Sequence, residues 1–446
     1  MNKLSLCPGV FFRQYDDISI IVNTITLNIC TLNSIATDIV KLISRNRELT
    51  FEDLIAELNK DYCVDIAILT GDCLNFIKEL QQNNFIKTDV LNLTTESYDD
   101  TKFQLTLEKE FSSYMCNRKQ LFSCLIELTY RCNLNCIHCY AKNCNMQKAN
   151  SNELTTDELI NLIDDLYNCN VFKLTFTGGE LFLRNDSYEI IEYAIKKGFL
   201  VDIFSNGTLL SDDMIREISK LHPRSFQCSL YSHIASKHDQ ITGELGSFDK
   251  TLNTLKLFVS YSVPINIQSI IMNLNQEDYE GLEELSQSLG ATFQPGLSIS
   301  PKNDGDKTPC VYRVSSPNEI KKFFLKKQHN INDMKPFSKR DINSSICGAA
   351  WSSISIDPYG NVFPCNSFNY LLGNIRRQKI GDIWNNSLSL HKLRKWRVSD
   401  LPKCKNCKYL DYCNFCPGMA LLETGNMFQP YSEACSHAKA QYELFN

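Results

Sequence analysis

No stretch of this 446-residue sequence carries the ~18 consecutive apolar residues that a membrane span needs. The richest stretch, Ile18 to Ala36, is broken by Asn23, Thr24, Asn28, Thr31 and Asn33, and reads as short elements of a soluble fold. A surplus of positive charge is missing as well. The formal net charge is -5, which offers nothing in bulk to nucleic acid or to an acidic membrane face. The first twelve residues hold one lysine, no long apolar segment and no small-residue cleavage pattern, so export is not expected and the cytoplasm is. Internal repeats and low-complexity tracts are also absent. What remains is globular in balance, with 43% apolar and 22% charged residues. At ~100 to 200 residues per domain the length predicts two to four units, and the pattern below divides into three.

Cysteine is plentiful: there are twenty. Without an export signal they are not expected to form disulfides, because reducing cytosol keeps thiols free and turns them to metal binding or catalysis. Six fall between Cys116 and Cys144 and seven in the last hundred residues. The scattered Cys7, Cys30, Cys63, Cys73, Cys169, Cys228 and Cys310 are expected to serve as small apolar core residues.

Residues 1 to 90 read as a separate unit. Two β-type runs, Val10 to Tyr15 and Ile18 to Leu27, precede three helices: Asn33 to Ser44, one opening at the capping pair Thr50 and Asp53, and one carrying Cys73, Phe76, Ile77 and Leu80 on a single face. A hairpin with three helices is a winged-helix pattern, whose common use is to read DNA. Eight Lys and Arg against twelve Asp and Glu leave this unit at -4, without the basic stripe that DNA demands. Residues 91 to 120 are polar, and read as a linker. From 121 to about 310, apolar runs at Phe122 to Thr129, Phe172 to Thr177, Leu200 to Phe204, Ser225 to Tyr231, Ile265 to Met272 and Thr292 to Ser298 alternate with helix-length stretches. That alternation predicts an α/β class with a parallel sheet, open or closed into a partial barrel. Unusual residues follow the strands, where such sheets place ligands: Cys132, Cys136 and Cys139 after the first, Gly178, Gly179 and Glu180 after the second, Ser205, Asn206 and Gly207 after the third.

Three thiols at C-x3-C-x2-C suit an iron-sulfur cluster with one iron left open. A zinc site would enlist a histidine, and His138 is next to Cys139, where its ring is hard to turn to the same metal. Tyr130 to Tyr140 resembles the signature loop of the radical S-adenosylmethionine (radical SAM) superfamily, and Gly178-Gly179-Glu180 resembles its GGE motif. The resemblance implies a partial (β/α)6 barrel, one such 4Fe-4S cluster and S-adenosylmethionine chelating its open iron. It also implies Glu180 and nearby backbone at the methionyl amine, Ser205, Asn206 and Gly207 at the ribose with Ser229 as a further candidate, and His138 and Tyr140 flanking the adenine. No catalytic acid or base is singled out.

Residues 311 to 446 hold Cys347, Cys365, Cys404, Cys407, Cys413, Cys416 and Cys435. Two C-x2-C pairs alone suggest zinc, whereas beside the central motif the array resembles a SPASM domain with two auxiliary 4Fe-4S clusters. The family pattern implies Cys404, Cys407, Cys413 and Cys435 around one, and Cys347, Cys365 and Cys416 around another with an iron open to a substrate thiolate. Cys310 is a candidate eighth ligand. The N-terminal unit resembles the PqqD-like element that binds the leader of a ribosomally made precursor peptide by strand addition, a mode that needs no basic patch. Cys347 to Trp351 and Leu372 to Ile375 look most like peptide maturases that join cysteine sulfur to carbon. The expectation is thioether formation on a precursor peptide, fed by a donor such as flavodoxin or ferredoxin. Carbon-carbon crosslinking, epimerisation, sulfatase maturation and a zinc-binding winged-helix adaptor are the alternatives.

Overall fold

A computed structural model describes residues 3–15, 18–46, 48–88, 110–141, 152–329 and 339–445. Cys144 and the polar run at 94–101 lie outside them.

Six parallel strands form the centre: β6 (Ser123–Glu127), β7 (Lys173–Thr177), β8 (Leu200–Ser205), β9 (Ser225–Ser229), β10 (Ile265–Ile270) and β11 (Thr292–Gly296). They pair in chain order, so no switch point exists. Right-handed crossovers then put every intervening helix on one face, and a sheet covered on one face curls in the manner of a barrel. Its other neighbour arrives from far along the chain. β12 (Ser353–Ile356) pairs parallel with β6, and β13 (Asn361–Phe363) and β14 (Gly373–Asn374) extend the same sheet to nine strands. The carboxyl-terminal region is thus built into the barrel rather than hung beside it, and Ile354, Ile356, Val362, Trp384 and Leu393 share the main core.

The amino-terminal unit comprises β1 (Leu4–Leu6) paired with β5 (Ile86–Thr88), a three-stranded antiparallel sheet of β2 (Val10–Gln14), β3 (Ser19–Asn23) and β4 (Ile29–Leu32), and three helices. These run Ser34–Arg45, capped by Asn33, Phe51–Asp61, opened by a capping box of Thr50 and Asp53, and Ile66–Gln82. The expected hairpin therefore gains a third strand, and two further short strands close the unit. Its core is its own, with Leu54, Cys73, Ile77 and Leu80 at the centre. Cys63 is exposed, so it is not the core residue expected.

The expected linker is corrected at its far end. Residues 110–118 are helical, and Phe111 and Met115, one turn apart, are buried among Ile20 and Val22 of β3 and Phe122, Phe172 and Leu200 at the amino ends of the barrel strands. The same seam holds Arg13, nearly buried, whose guanidinium donates to the carbonyls of Val171 and, at 2.9 Å, Gly198. Phe11 occupies the space where a Cβ on Gly198 would sit, 2.5 Å away. The unit therefore grips the amino ends of the barrel strands, the end of the sheet opposite to their carboxyl ends.

Candidate active site

At the carboxyl ends the loop after β6 presents Cys132, Cys136 and Cys139, each half-buried and close enough to influence the titration of the others. Burial raises Cys132 to about 11 and Cys136 further, so both are thiols at neutral pH and a metal must displace their protons. Cys132 Sγ accepts from the Leu134 amide at 3.4 Å and lies 3.9 Å from Asn206 Nδ2.

Both ends of this loop are tied to one carboxylate. Tyr130, just before it, donates to Glu127 Oε2 at 3.1 Å, and Tyr140, just after it, to Oε1 at 2.7 Å. Burial pushes the Glu127 carboxyl up to about 7, with Asp357 adding to the shift and the two hydroxyls opposing it. Sequence reasoning passed over Glu127. The signal it left is a lone acid inside an apolar strand run.

Gly178 and Gly179 matter for a reason other than the one expected. Gly178 has φ +140°, and a Cβ there would lie 2.3 Å from the Thr129 carbonyl oxygen; a Cβ on Gly179 would lie 2.3 Å from that of Arg131. The glycines let the loop after β7 close onto the cysteine loop, which the amides of Gly179 and Glu180 also bond at 2.8 and 2.7 Å. Glu180 also has a structural task. Its fully buried carboxylate is occupied by the amides of Phe182 (3.0 Å) and Asn206 (2.8 Å) and by Ser205 Oγ, 2.9 Å from both oxygens. It fastens the loop after β7 to the loop after β8, and its side chain is not part of the cavity lining.

The cavity itself measures about 560 Å³, within the range of ligand sites. Cys132, Cys136, Cys139, His138, Tyr140, Gly178, Gly179, Ser205, Asn206 and Ser229 all line it; Gly207 (φ +75°) sits behind, packed on Thr254 and Cys228. Ser205 is committed to Glu180, and Asn206 Nδ2 to Asn133 Oδ1 at 2.9 Å. His138 packs edge-on against Tyr231, with Nδ1 unpartnered. His238, which the sequence gave no means of singling out, takes the Tyr231 amide on Nδ1 at 3.2 Å and leaves a buried Nε2 unpartnered. No Lys, Arg, Asp or Glu lines the cavity among the described residues.

The far wall belongs to the carboxyl-terminal region: Asn366, Ser367, Asn414, Cys416, Met419 and Tyr431. Cys416 is electrostatically coupled to Cys347 and Cys365, and its Sγ accepts from the Met419 amide at 3.5 Å, as Cys347 Sγ does from Ala349 at 3.3 Å. Cys404, Cys407, Cys413 and Cys435 form another coupled set around a separate pocket of about 350 Å³. Cys310 lies instead beside Arg313, Glu423 and Glu433, apart from both sets. No group of three or more His, Cys, Asp and Glu among the described residues is gathered as for a single ion. The thiols surround open space, and amides aimed at sulfur are the polar surroundings that iron-sulfur centres use. All-thiol sets with such donors fit clusters.

The sequence matches the models of the Radical SAM superfamily over residues 126–289, an iron-sulfur cluster-binding (SPASM) domain over 347–408, and coenzyme PQQ synthesis protein D (PqqD) over 19–86. The central region of the chain is thus similar to the Radical SAM superfamily. An AdoMet-dependent heme synthase of Methanosarcina barkeri is 28% identical over 68% of this chain and 94% of its own length. The antilisterial bacteriocin subtilosin biosynthesis protein AlbA of Bacillus subtilis is 29% identical over 65% of this chain and 66% of its own. Among solved structures, Streptococcus suis SuiB bound to S-adenosylmethionine superposes with TM-score 0.61 at 15% identity, covering 97% of this chain and 99% of that one, which shows a shared fold.

Proposed function

We propose that this radical SAM protein modifies a ribosomally made precursor peptide by joining a cysteine sulfur to a carbon. One observation carries the reading: a single cavity is walled on one side by the Cys132, Cys136 and Cys139 loop and on the other by Cys416 of the Cys347, Cys365 and Cys416 set. A peptide held there lies between a hydrogen-abstracting centre and a second centre, three thiols strong, that has room to take a substrate thiolate. AlbA is named for bacteriocin biosynthesis, and SuiB has been solved with its precursor peptide SuiA, which supports a peptide substrate.

Cys132, Cys136 and Cys139 would hold the cluster that S-adenosylmethionine meets, Cys347, Cys365 and Cys416 a second, and Cys404, Cys407, Cys413 and Cys435 a third. Bound there, cluster and cofactor supply a 5'-deoxyadenosyl radical that takes a hydrogen atom from the peptide. The protein's own residues position and exclude. The Glu127 clamp fixes both ends of the cysteine loop, Glu180 locks the neighbouring loops to each other, and Tyr231, Ile270, Ile299 and Met419 give the cavity walls that keep water from a reactive carbon. Residues 1–90 serve as a winged-helix-like recognition unit for the leader, 121–310 as the barrel and 311–446 as the bridging and auxiliary region, in a cytoplasmic enzyme. Leader docking at the amino ends of the strands leaves the core peptide to reach their carboxyl ends.

Anaerobically reconstituted protein, incubated with reductant, S-adenosylmethionine and the cysteine-bearing peptide encoded beside it, should yield product lighter by two hydrogens per link, with the cysteine resistant to alkylation. Product of unchanged mass would replace this reading with epimerisation. The heme synthase similarity favours a second reading, oxidation of a small molecule, and turnover with no peptide dependence would establish it.

A further inference from the structure

Residues 391–410 carry seven Lys and Arg against one Asp, in a chain whose net charge is -5. Lys403, Lys405 and Lys408 alternate with Cys404 and Cys407, and all three lysines are exposed. None of them forms an ion pair among the described residues. Lys408 instead lies over the Tyr409 ring, 4.9 Å from its centre, and Tyr409 lines the same pocket as Cys404, Cys407, Cys413 and Cys435. Lys439, exposed, lines that pocket and pairs with Glu443.

Two of those four thiols, Cys407 and Cys435, reach the surface, and none of the four lines the main cavity. The exposed lysines therefore flank, in sequence, two thiols of a site that does not open on the main cavity. The basic stretch is also the opposite in sign to the amino-terminal unit, which carries -4. An acidic protein approaching this chain is repelled by the amino-terminal unit and drawn to the 391–410 stretch, and such asymmetry orients encounters more than it tightens them.

We propose that Lys403, Lys405 and Lys408 dock a small acidic one-electron carrier protein, and that the four-thiol pocket is the port through which its electron enters. The inference rests on the reading of that pocket as a cluster site. The balance is simple: the carrier is oxidised by one electron, the protein's cluster is reduced by one, and no proton or group is transferred at the surface. An acidic stretch of the precursor peptide is the competing occupant, but a peptide threaded into the main cavity has no need of a surface centred on a different set of thiols.

The test uses the reconstituted holoenzyme and its Lys403→Glu/Lys405→Glu/Lys408→Glu variant, with cluster bleaching followed by stopped flow. A reduced acidic ferredoxin is one reductant and dithionite, which needs no docking surface, is the other. Charge reversal should slow reduction by ferredoxin about tenfold or more and flatten its ionic-strength dependence, with dithionite rates kept within about twofold. Ferredoxin affinity, measured by calorimetry, should fall in parallel. The Lys→Gln triple variant should give an intermediate rate, and it decides the matter should the reversed protein lose iron. Unchanged ferredoxin rates at full iron content overturn the docking surface, as does a variant that loses affinity for the precursor peptide alone. Wild-type protein that holds no cluster in the four-thiol pocket overturns instead the reading beneath it.

Discussion

The thiol loop at the strand ends and the four-thiol pocket near the carboxyl terminus use the same side chain in opposite settings. Cys132, Cys136 and Cys139 lie on one short loop whose two flanking tyrosines share Glu127 and whose carbonyls are bonded by the loop after β7. Cys404, Cys407, Cys413 and Cys435 are brought together across about thirty residues by a small core of Leu401, Phe415, Tyr431 and Ala434. The first is held from both ends and faces the large cavity shared with the carboxyl-terminal region. The second is held from beneath and faces solvent. Rigid support suits the site that must place a cofactor against a substrate to within fractions of an ångström, while a looser and more open site suits electron exchange.

The largest effect that would break this contrast is loss of one thiol from each. Cys136→Ala should reduce 5'-deoxyadenosine release to background, since no other thiol on the loop can replace it. Cys435→Ala should leave both release and crosslinked peptide measurable with a small reductant and lower both when a reduced carrier protein is the donor. Chromatography of 5'-deoxyadenosine beside mass spectrometry of the peptide separates the two. Equal loss of both products in both variants would mean that the sites are not divided in role.

Next in size is Gly179→Ala. The added Cβ would meet the Arg131 carbonyl oxygen at 2.3 Å, and backbone on both sides leaves nothing flexible to yield. A cost of about 1–3 kcal/mol is expected, read as a lower urea midpoint. Gly425→Ala is the partner measurement, because its φ of +75° is strained for alanine but nothing lies within 4 Å of the new carbon. It should cost about 1 kcal/mol through backbone strain alone.

The six barrel strands were legible because short β-type runs alternate with helix-length stretches, and the three thiol sets through their resemblance to family patterns. Other features were not. β12 is four residues, Ser353–Ile356, more than two hundred positions from its partner β6, and no local pattern announces such a pairing. The helix at 110–118 did leave a trace in the i, i+4 pair Phe111 and Met115, hidden by the polar run before it. Glu180 was placed in the right loop, but its tie to the Phe182 and Asn206 amides was not legible, because spacing locates a carboxylate without saying which donors its oxygens already serve. His238 is a lone histidine in a polar helix, and only its position on the cavity wall distinguishes it.

A smaller effect sharpens the account of how the first site is held. Glu127 keeps its proton up to about 7 when folded, against 4.5 in its ordinary setting. A raised carboxyl pKa means that the folded state binds the proton more tightly, so stability is greatest below about 4.5, falls as pH rises toward 7 and is level beyond. Glu127→Gln mimics the protonated acid and removes the titration. Urea midpoints of the metal-free protein should therefore fall with pH in the wild type between 5 and 7 more than in the variant. Parallel profiles would show that another group governs this range.

The smallest effect concerns the sulfur itself. Asn206 Nδ2 is 3.9 Å from Cys132 Sγ, a weak donor that favours the more negative sulfur less than an amide in full contact would, yet it favours the reduced cluster over the oxidised one. Asn206→Asp keeps the shape, removes the donor and adds a negative charge. The site's midpoint potential should move negative by about 40 mV, the one-electron equivalent of about 1 kcal/mol, in an anaerobic titration followed by electron paramagnetic resonance. The four-thiol site, with no contact to Asn206, should keep its potential, so a shift shared by both would show that the two centres are electrostatically joined and would erase the division of labour drawn between them.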